Sequence, residues 1–243
     1  MRIVWKLALV LFLASFAFSC GGASMGGGGG SSLPASDGHY STTFQGSENP
    51  ISEGGIWING GSAGLDWTNV SKSGGIAIGH EGSVPYSDAI ATLQGAWEPD
   101  QSAEATVFAQ NQTESCGQEV EIRLRNTVAP HSITGYEISF STSSGYLIIV
   151  KGNGARGDFT ILSNLTGPQY VAENGDVVKA TVVGNLISAY KNGVLMGQVT
   201  DSTYSTGSPG IGFNLNGIDG CLGTNANYGF TTFTAVDGRH GPI

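Results

Sequence analysis

From Ile76 to Ala235, apolar and polar residues alternate in short runs punctuated by glycine, asparagine and aspartate. The period is two, that of half-buried strands, and no long apolar stripe of period 3.6 interrupts it. The pattern predicts strands at Ile76–Gly79, Asp88–Leu93, Ala103–Ala109, Glu119–Arg125, Gly135–Ser141, Tyr146–Lys151, Phe159–Leu162, Val177–Val183, Leu186–Lys191, Val194–Thr200, Gly210–Leu215 and Phe230–Ala235. Short strands at regular spacing imply an all-β fold of sandwich or barrel type. Asn192-Gly193 supplies the two positive φ angles of a type I′ hairpin, and Gly184-Asn185 turns the preceding pair. Asp176–Asp201 therefore reads as three consecutive antiparallel strands.

Alternation also assigns faces. Val120, Ile122 and Leu124 turn to the core, and Glu119, Glu121, Arg123 and Arg125 turn away from it. Tyr136, Ile138 and Phe140 turn in, while Glu137 and Ser139 turn out. These two strands are expected to present a solvated outer face of alternating charge.

The N-terminus has a different pattern. Arg2 and Lys6 flank Leu7–Phe18, an uncharged apolar run of 12 residues, too short to span a bilayer. Cys20 and Gly21 follow. The stretch resembles a bacterial lipoprotein signal, which implies cleavage after residue 19, lipid on Cys20 and export. Ala17-Phe18-Ser19 departs from the usual leucine three residues before the cysteine, and would also suit ordinary signal peptidase. Gly21 lacks the aspartate that retains such proteins at the inner membrane, so the resemblance implies the outer membrane or cell surface. Residues 20–36 are rich in glycine and serine and read as a flexible tether. With lipid on Cys20, the two remaining cysteines, Cys116 and Cys221, are expected to pair in an oxidising compartment.

The remainder, 37–243, is about 205 residues, enough for one all-β domain with a substantial core. Without Arg2 and Lys6 the ten basic residues become eight, against 19 acidic ones, a net charge of −11. No basic run exists, which argues against nucleic acid or anionic lipid as a partner of the domain. Only 12% of residues are charged, where about 25% is usual, so the surface is built from serine, threonine, asparagine and glycine.

The hairpins at Gly175–Val194, followed by Thr200-Asp201-Ser202-Thr203-Tyr204-Ser205-Thr206-Gly207-Ser208-Pro209-Gly210-Ile211-Gly212-Phe213 and a closing strand, resemble the laminin-G-like, concanavalin A-like lectin/glucanase domains of exported bacterial proteins. The resemblance covers about Tyr40–Asp237. It implies a jelly roll of two antiparallel sheets and, by the habits of the family, a carbohydrate or cell-surface partner. One fold of this kind hosts lectins, hydrolases, lyases and adhesion modules, so activity does not follow from it.

Family 16 glycoside hydrolases of this fold carry acids at i, i+2 and i+4 on one strand. The corresponding positions here are Glu119, Glu121 and Arg123, so the third acid is absent. A guanidinium also favours ionised neighbours, the wrong direction for a general acid. Arg123, Arg125, His131 and Tyr136 match the residue types of alginate-lyase-like enzymes, but the flanking motifs are missing. Trp57, Trp67, Trp97 and Tyr86 lie in glycine-rich stretches between strands, where aromatic rings either stack on sugar rings or staple long loops; Trp67 and Trp97 are the candidate stacking walls. The glycan-binding candidates are thus Glu119, Glu121, Arg123, Arg125, Glu137, Trp67 and Trp97, with no catalytic residue and no metal ligand assigned. Glu48, Asp66, Asp201, Asp219 and Asp237 offer oxygen ligands for calcium, but form no compact motif. The preferred reading is a membrane-anchored, non-catalytic domain that binds glycan or another surface partner. The alternatives are a polysaccharide hydrolase or lyase, and a structural envelope protein without a small ligand.

Overall fold

The computed structural model describes residues 37–241 and 243, apart from 63, 65 and 216–219. The signal 1–19, Cys20, the tether 20–36 and Asp219 lie outside the described residues.

Among the described residues sixteen strands follow one another: β1 (His39–Thr42), β2 (Ser47–Glu48), β3 (Trp57–Asn59), β4 (Thr68–Ser73), β5 (Ile76–Gly79), β6 (Ala89–Leu93), β7 (Gln101–Ala109), β8 (Glu119–Ala129), β9 (Ser132–Ser141), β10 (Tyr146–Gly154), β11 (Phe159–Thr166), β12 (Val177–Val183), β13 (Leu186–Lys191), β14 (Val194–Thr200), β15 (Ser208–Asn214) and β16 (Tyr228–Asp237). They form two antiparallel layers. One runs β11-β10-β9-β8-β15-β6 and the other β5-β16-β7-β12-β13-β14. β4 joins them, antiparallel to β5 and parallel to β6. The all-β sandwich expected from the alternation is present.

The hairpin β13–β14 turns at Asn192 (φ 52°) and Gly193 (φ 77°), the conformation that Asn-Gly adopts at low cost. Strands β5, β12, β13 and β14 match their predicted bounds. β1 to β4 were not foreseen. They are short, and their pattern is broken by glycine and by buried polar residues such as Asn59 and Lys72.

Val120, Ile122 and Leu124 are fully buried between the layers, against a core that includes Val178, Val182, Phe213, Phe230 and Phe233. Trp57 and Trp97 belong to the same core. Trp57 stacks on Tyr40 and Phe233, with centroids 5.5 Å away in each case, and its Nε1 donates to Tyr40 and Glu53. Cys116 and Cys221 form the expected disulfide, with Cα atoms 5.4 Å apart.

Candidate functional site

The outer face of the layer β11-β10-β9-β8-β15-β6 carries a groove. Register explains its floor. On β8, Glu119, Glu121 and Arg123 point to one side, opposite Ser141, Ser139 and Glu137 of β9. Ile148 and Val150 of β10 lie opposite Ser139 and Glu137. On the other flank Glu121 and Glu119 face Gly212 and Asn214 of β15. Glycine is required at 212: a Cβ there would lie 2.7 Å from Arg123 Nε and collide with Glu121 Oε2. The Glu121 and Arg123 side chains use that space.

This polar face is not solvated, which corrects the expectation of an exposed charged platform. Glu119, Glu121, Arg123 and Arg125 are all buried, Glu121 completely. The cause is local. Side chains fold onto the glycines of β15, and loops from the β6 edge cover what remains. Trp67 packs on Ile90 and Ile133 over this face.

At the centre Arg123 Nη2 binds three carboxylates: Asp88 Oδ2 at 3.2 Å, Glu121 Oε2 at 2.5 Å and Glu137 Oε2 at 2.8 Å. The oxygens of these acids lie within 4.8 Å of one another, a spacing a metal ion could use. The guanidinium already fills the space between them, so the residues fit an organic cation better than a metal. The calcium candidates among the described residues are dispersed, each with a different partner: Glu48 with Lys72, Asp66 with the His131 ring, Asp201 with Lys151 and Asp237 with Arg239.

Three carboxyl groups share one arginine with Glu119 close by, and burial dominates the acidities of Glu119, Asp88 and Glu121. Burial pushes Glu119 up to about 7, although Tyr146 Oη and Asn214 Nδ2 donate to it and oppose the shift. Burial, followed by the charge of Glu137, raises Asp88 to about 6, against the pull of Arg123. Burial raises Glu121 well above the usual range, and Arg123 again opposes this. Glu81, buried beside Tyr228, is raised for the same first reason, with Asp88 adding to it. Groups that hold protons near neutrality inside a cleft mark a functional site more often than a structural one.

The cavity holds about 280 Å³. Asp88, Glu119, Arg123, Glu137 and Asn214 form its polar part, and Trp67, Tyr86, Ile148, Phe159 and Ile161 its apolar walls. Of the predicted candidates, Glu119, Arg123, Glu137 and Trp67 meet here. Glu121 lies beneath them, tied to Arg123.

Two candidates lie elsewhere. Arg125 sits where β8 changes register, with φ 51°. Its guanidinium donates to the carbonyls of Pro99, Tyr204 and Gly184, so it clamps three turns and faces no groove. Trp97 is packed in the core, its Nε1 donating to Gln94 O at 3.3 Å.

Asp88, Asn214 and Tyr146 are not among the candidates the sequence offers, whereas Tyr86 is, as a loop aromatic able to stack on a sugar ring. The parity of β10 placed Tyr146 with Ile148 and Val150, but only the strand order brings β6 and β15 beside β8.

No protein-family model matches the chain, and no curated protein sequence matches it. Solved structures do. Carbohydrate-binding module CBM66 from Bacillus subtilis aligns over 76% of this chain and 94% of its own, with 14% identity and a TM-score of 0.51. The carbohydrate recognition domain of Emp47p aligns over 84% and 96%, with 12% identity and a TM-score of 0.55. Beta-agarase B from Zobellia galactanivorans aligns over 81% and 91%, with 12% identity and a TM-score of 0.53. What these likenesses show is the fold: the domain is an antiparallel jelly-roll β-sandwich of concanavalin A-like architecture.

Proposed function

We propose that the domain binds a neutral or weakly cationic glycan in the groove and does not cleave it. The observation that carries this reading is the groove itself, with a hydrogen-bonding floor between aromatic and aliphatic walls. Sugars need both: hydroxyls to pair, and apolar ring faces to cover. Folds similar to this one include a carbohydrate-binding module and a carbohydrate recognition domain by name, which supports the same partner class. Charge narrows it. The net charge of −11 and the carboxyl-rich floor disfavour uronate and sulfate chains. The ion pairs of Arg123 with Asp88, Glu121 and Glu137 support the non-catalytic reading, since they engage the acids beside Glu119 that a second carboxylate would have to come from.

The same proposal places the protein outside the cytoplasm, held by lipid on Cys20 with 20–36 as the tether. Each site is small, so binding per site is weak, and many tethered copies on one membrane supply avidity. A Cys20→Ser substitution is expected to release the protein from membranes. Wild-type protein in the aqueous phase of a detergent partition would contradict the anchor.

A second reading is favoured by one observation. Glu119 is buried at the groove with its acidity near 7, as a general acid of a glycosidase requires. A glycan array followed by reducing-end analysis on its hits separates the two. Binding without new reducing ends supports the first reading. Steady release abolished by Glu119→Gln supports the second.

A further inference from the structure

Tyr86 and Phe159 belong to opposite flanks of the groove. Tyr86 lies in the loop that enters β6, and Phe159 opens β11. β15, β8, β9 and β10 lie between those strands, five spacings or about 24 Å if the sheet were flat. Yet the two rings meet, with centroids 5.6 Å apart and planes at 61°. The Tyr86 ring also rests on the β10–β11 turn, where a Cβ on Gly157 would approach its Cδ2 to 3.3 Å. A second link runs beside it: Arg156 Nη1 of that turn donates to the carbonyl of Asp66, 3.0 Å away, next to Trp67. The floor residues Glu119, Arg123 and Glu137 lie on the strands these contacts cross, and the same cavity touches both Tyr86 and Phe159. The groove is therefore bridged by the chain, not open along its length.

Tyr86 does not serve the core. It is 59% exposed and has φ 57°, a backbone conformation that is costly for a bulky residue. Strain of this kind, spent on an exposed ring over a cavity, points to a role in that cavity. The enclosed volume, about 280 Å³, is at the lower end of ligand pockets, which begin near 300 Å³, and suits one or two sugar rings.

We infer that the groove takes the end of a glycan chain, not a stretch of its interior, and that the Tyr86–Phe159 bridge imposes this choice. An interior stretch must leave the site in both directions, and the bridge blocks one of them. The inference rests on the glycan reading above.

The test uses the purified protein with neutral β-glucan, chitin and mannan fragments, from disaccharide to hexasaccharide, and with the parent polymers. Titration gives the affinity for each fragment, and saturation gives the number of protein molecules held per polymer chain. For the wild type, affinity stops rising once the fragment fills the pocket, and each polymer chain loads protein only at its ends. In Tyr86→Gly, which suits the positive φ, and in Phe159→Ala, loading per polymer chain rises several-fold. Both side chains are exposed, so the variants keep the fold, and the wild-type measurement decides the matter without them. Wild-type loading in proportion to polymer length overturns the chain-end inference and leaves the glycan reading standing. Binding to none of these fragments or polymers overturns both.

Discussion

Arg123 is the residue on which the groove depends. Its side chain is 5% exposed and its partner Glu121 is fully enclosed, so neither charge is tolerable alone. Breaking a buried ion pair by removing one partner costs about 3–5 kcal/mol. Arg123→Ala is thus expected to lower stability by that order in urea denaturation, and a loss below about 1 kcal/mol would show the cluster to be solvated. Acidity gives a second test at this scale. Glu119 is raised from 4.5 to about 7, and Asp88 from 3.8 to about 6, so the folded state takes up protons more readily than the unfolded chain. Their contribution is complete below the ordinary carboxylate range and fades as pH rises towards 7. Asp201, lowered to about 2, works the other way and loses its contribution only in stronger acid. Melting temperature should therefore fall between pH 5 and pH 8, and Glu119→Gln should flatten the slope. A profile that rises across this window would contradict the buried-acid account. From the sequence, parity placed Glu119, Glu121 and Arg123 on one side of a strand, but not their burial. Burial came from Gly212 beneath and Trp67 above, and neither contact is local in the chain.

At the scale of elements, the hairpins were legible because their turns are local. Asn192-Gly193 fixes its own geometry, and the strands on either side inherit their register from it. β1 and β3 were hidden because long-range partners define them: β1 pairs with β16, and β3 with β6. The disulfide is another long-range tie. It joins the short helix Glu114–Cys116 before β8 to Cys221 before β16, across a separation of 105 residues. A loop of that length is worth about 4–5 kcal/mol in the chain-entropy model. Reduction, or Cys116→Ser with Cys221→Ser, is expected to shift the denaturation midpoint down by a substantial part of that. An unchanged midpoint would mean that the bridge adds nothing beyond the packing around it.

For the whole molecule, alternation and composition identified an all-β domain with few charges, and the resemblance to concanavalin A-like domains named its architecture. The groove was only partly legible. Glu119, Arg123, Glu137 and Trp67 could be nominated from strand parity and residue type. Asp88 and Asn214 join them only because β15 and β6 follow β8 in the sheet, an order that no pattern along the chain encodes, and Tyr86, legible as a loop aromatic, is brought to the groove by that same order. The central claim is that this groove binds glycan and leaves it intact. Ile148 lies on its floor and is only half-buried, so Ile148→Trp fills the cavity without disturbing the core. The direct measurement is a binding isotherm for the best neutral glycan, with reducing ends counted in the same solution, for wild type and Ile148→Trp. Saturable wild-type binding without new reducing ends, lost in Ile148→Trp at an unchanged melting temperature, is the predicted result. Undiminished binding by the filled variant, or reducing ends that accumulate with the wild type, would contradict it.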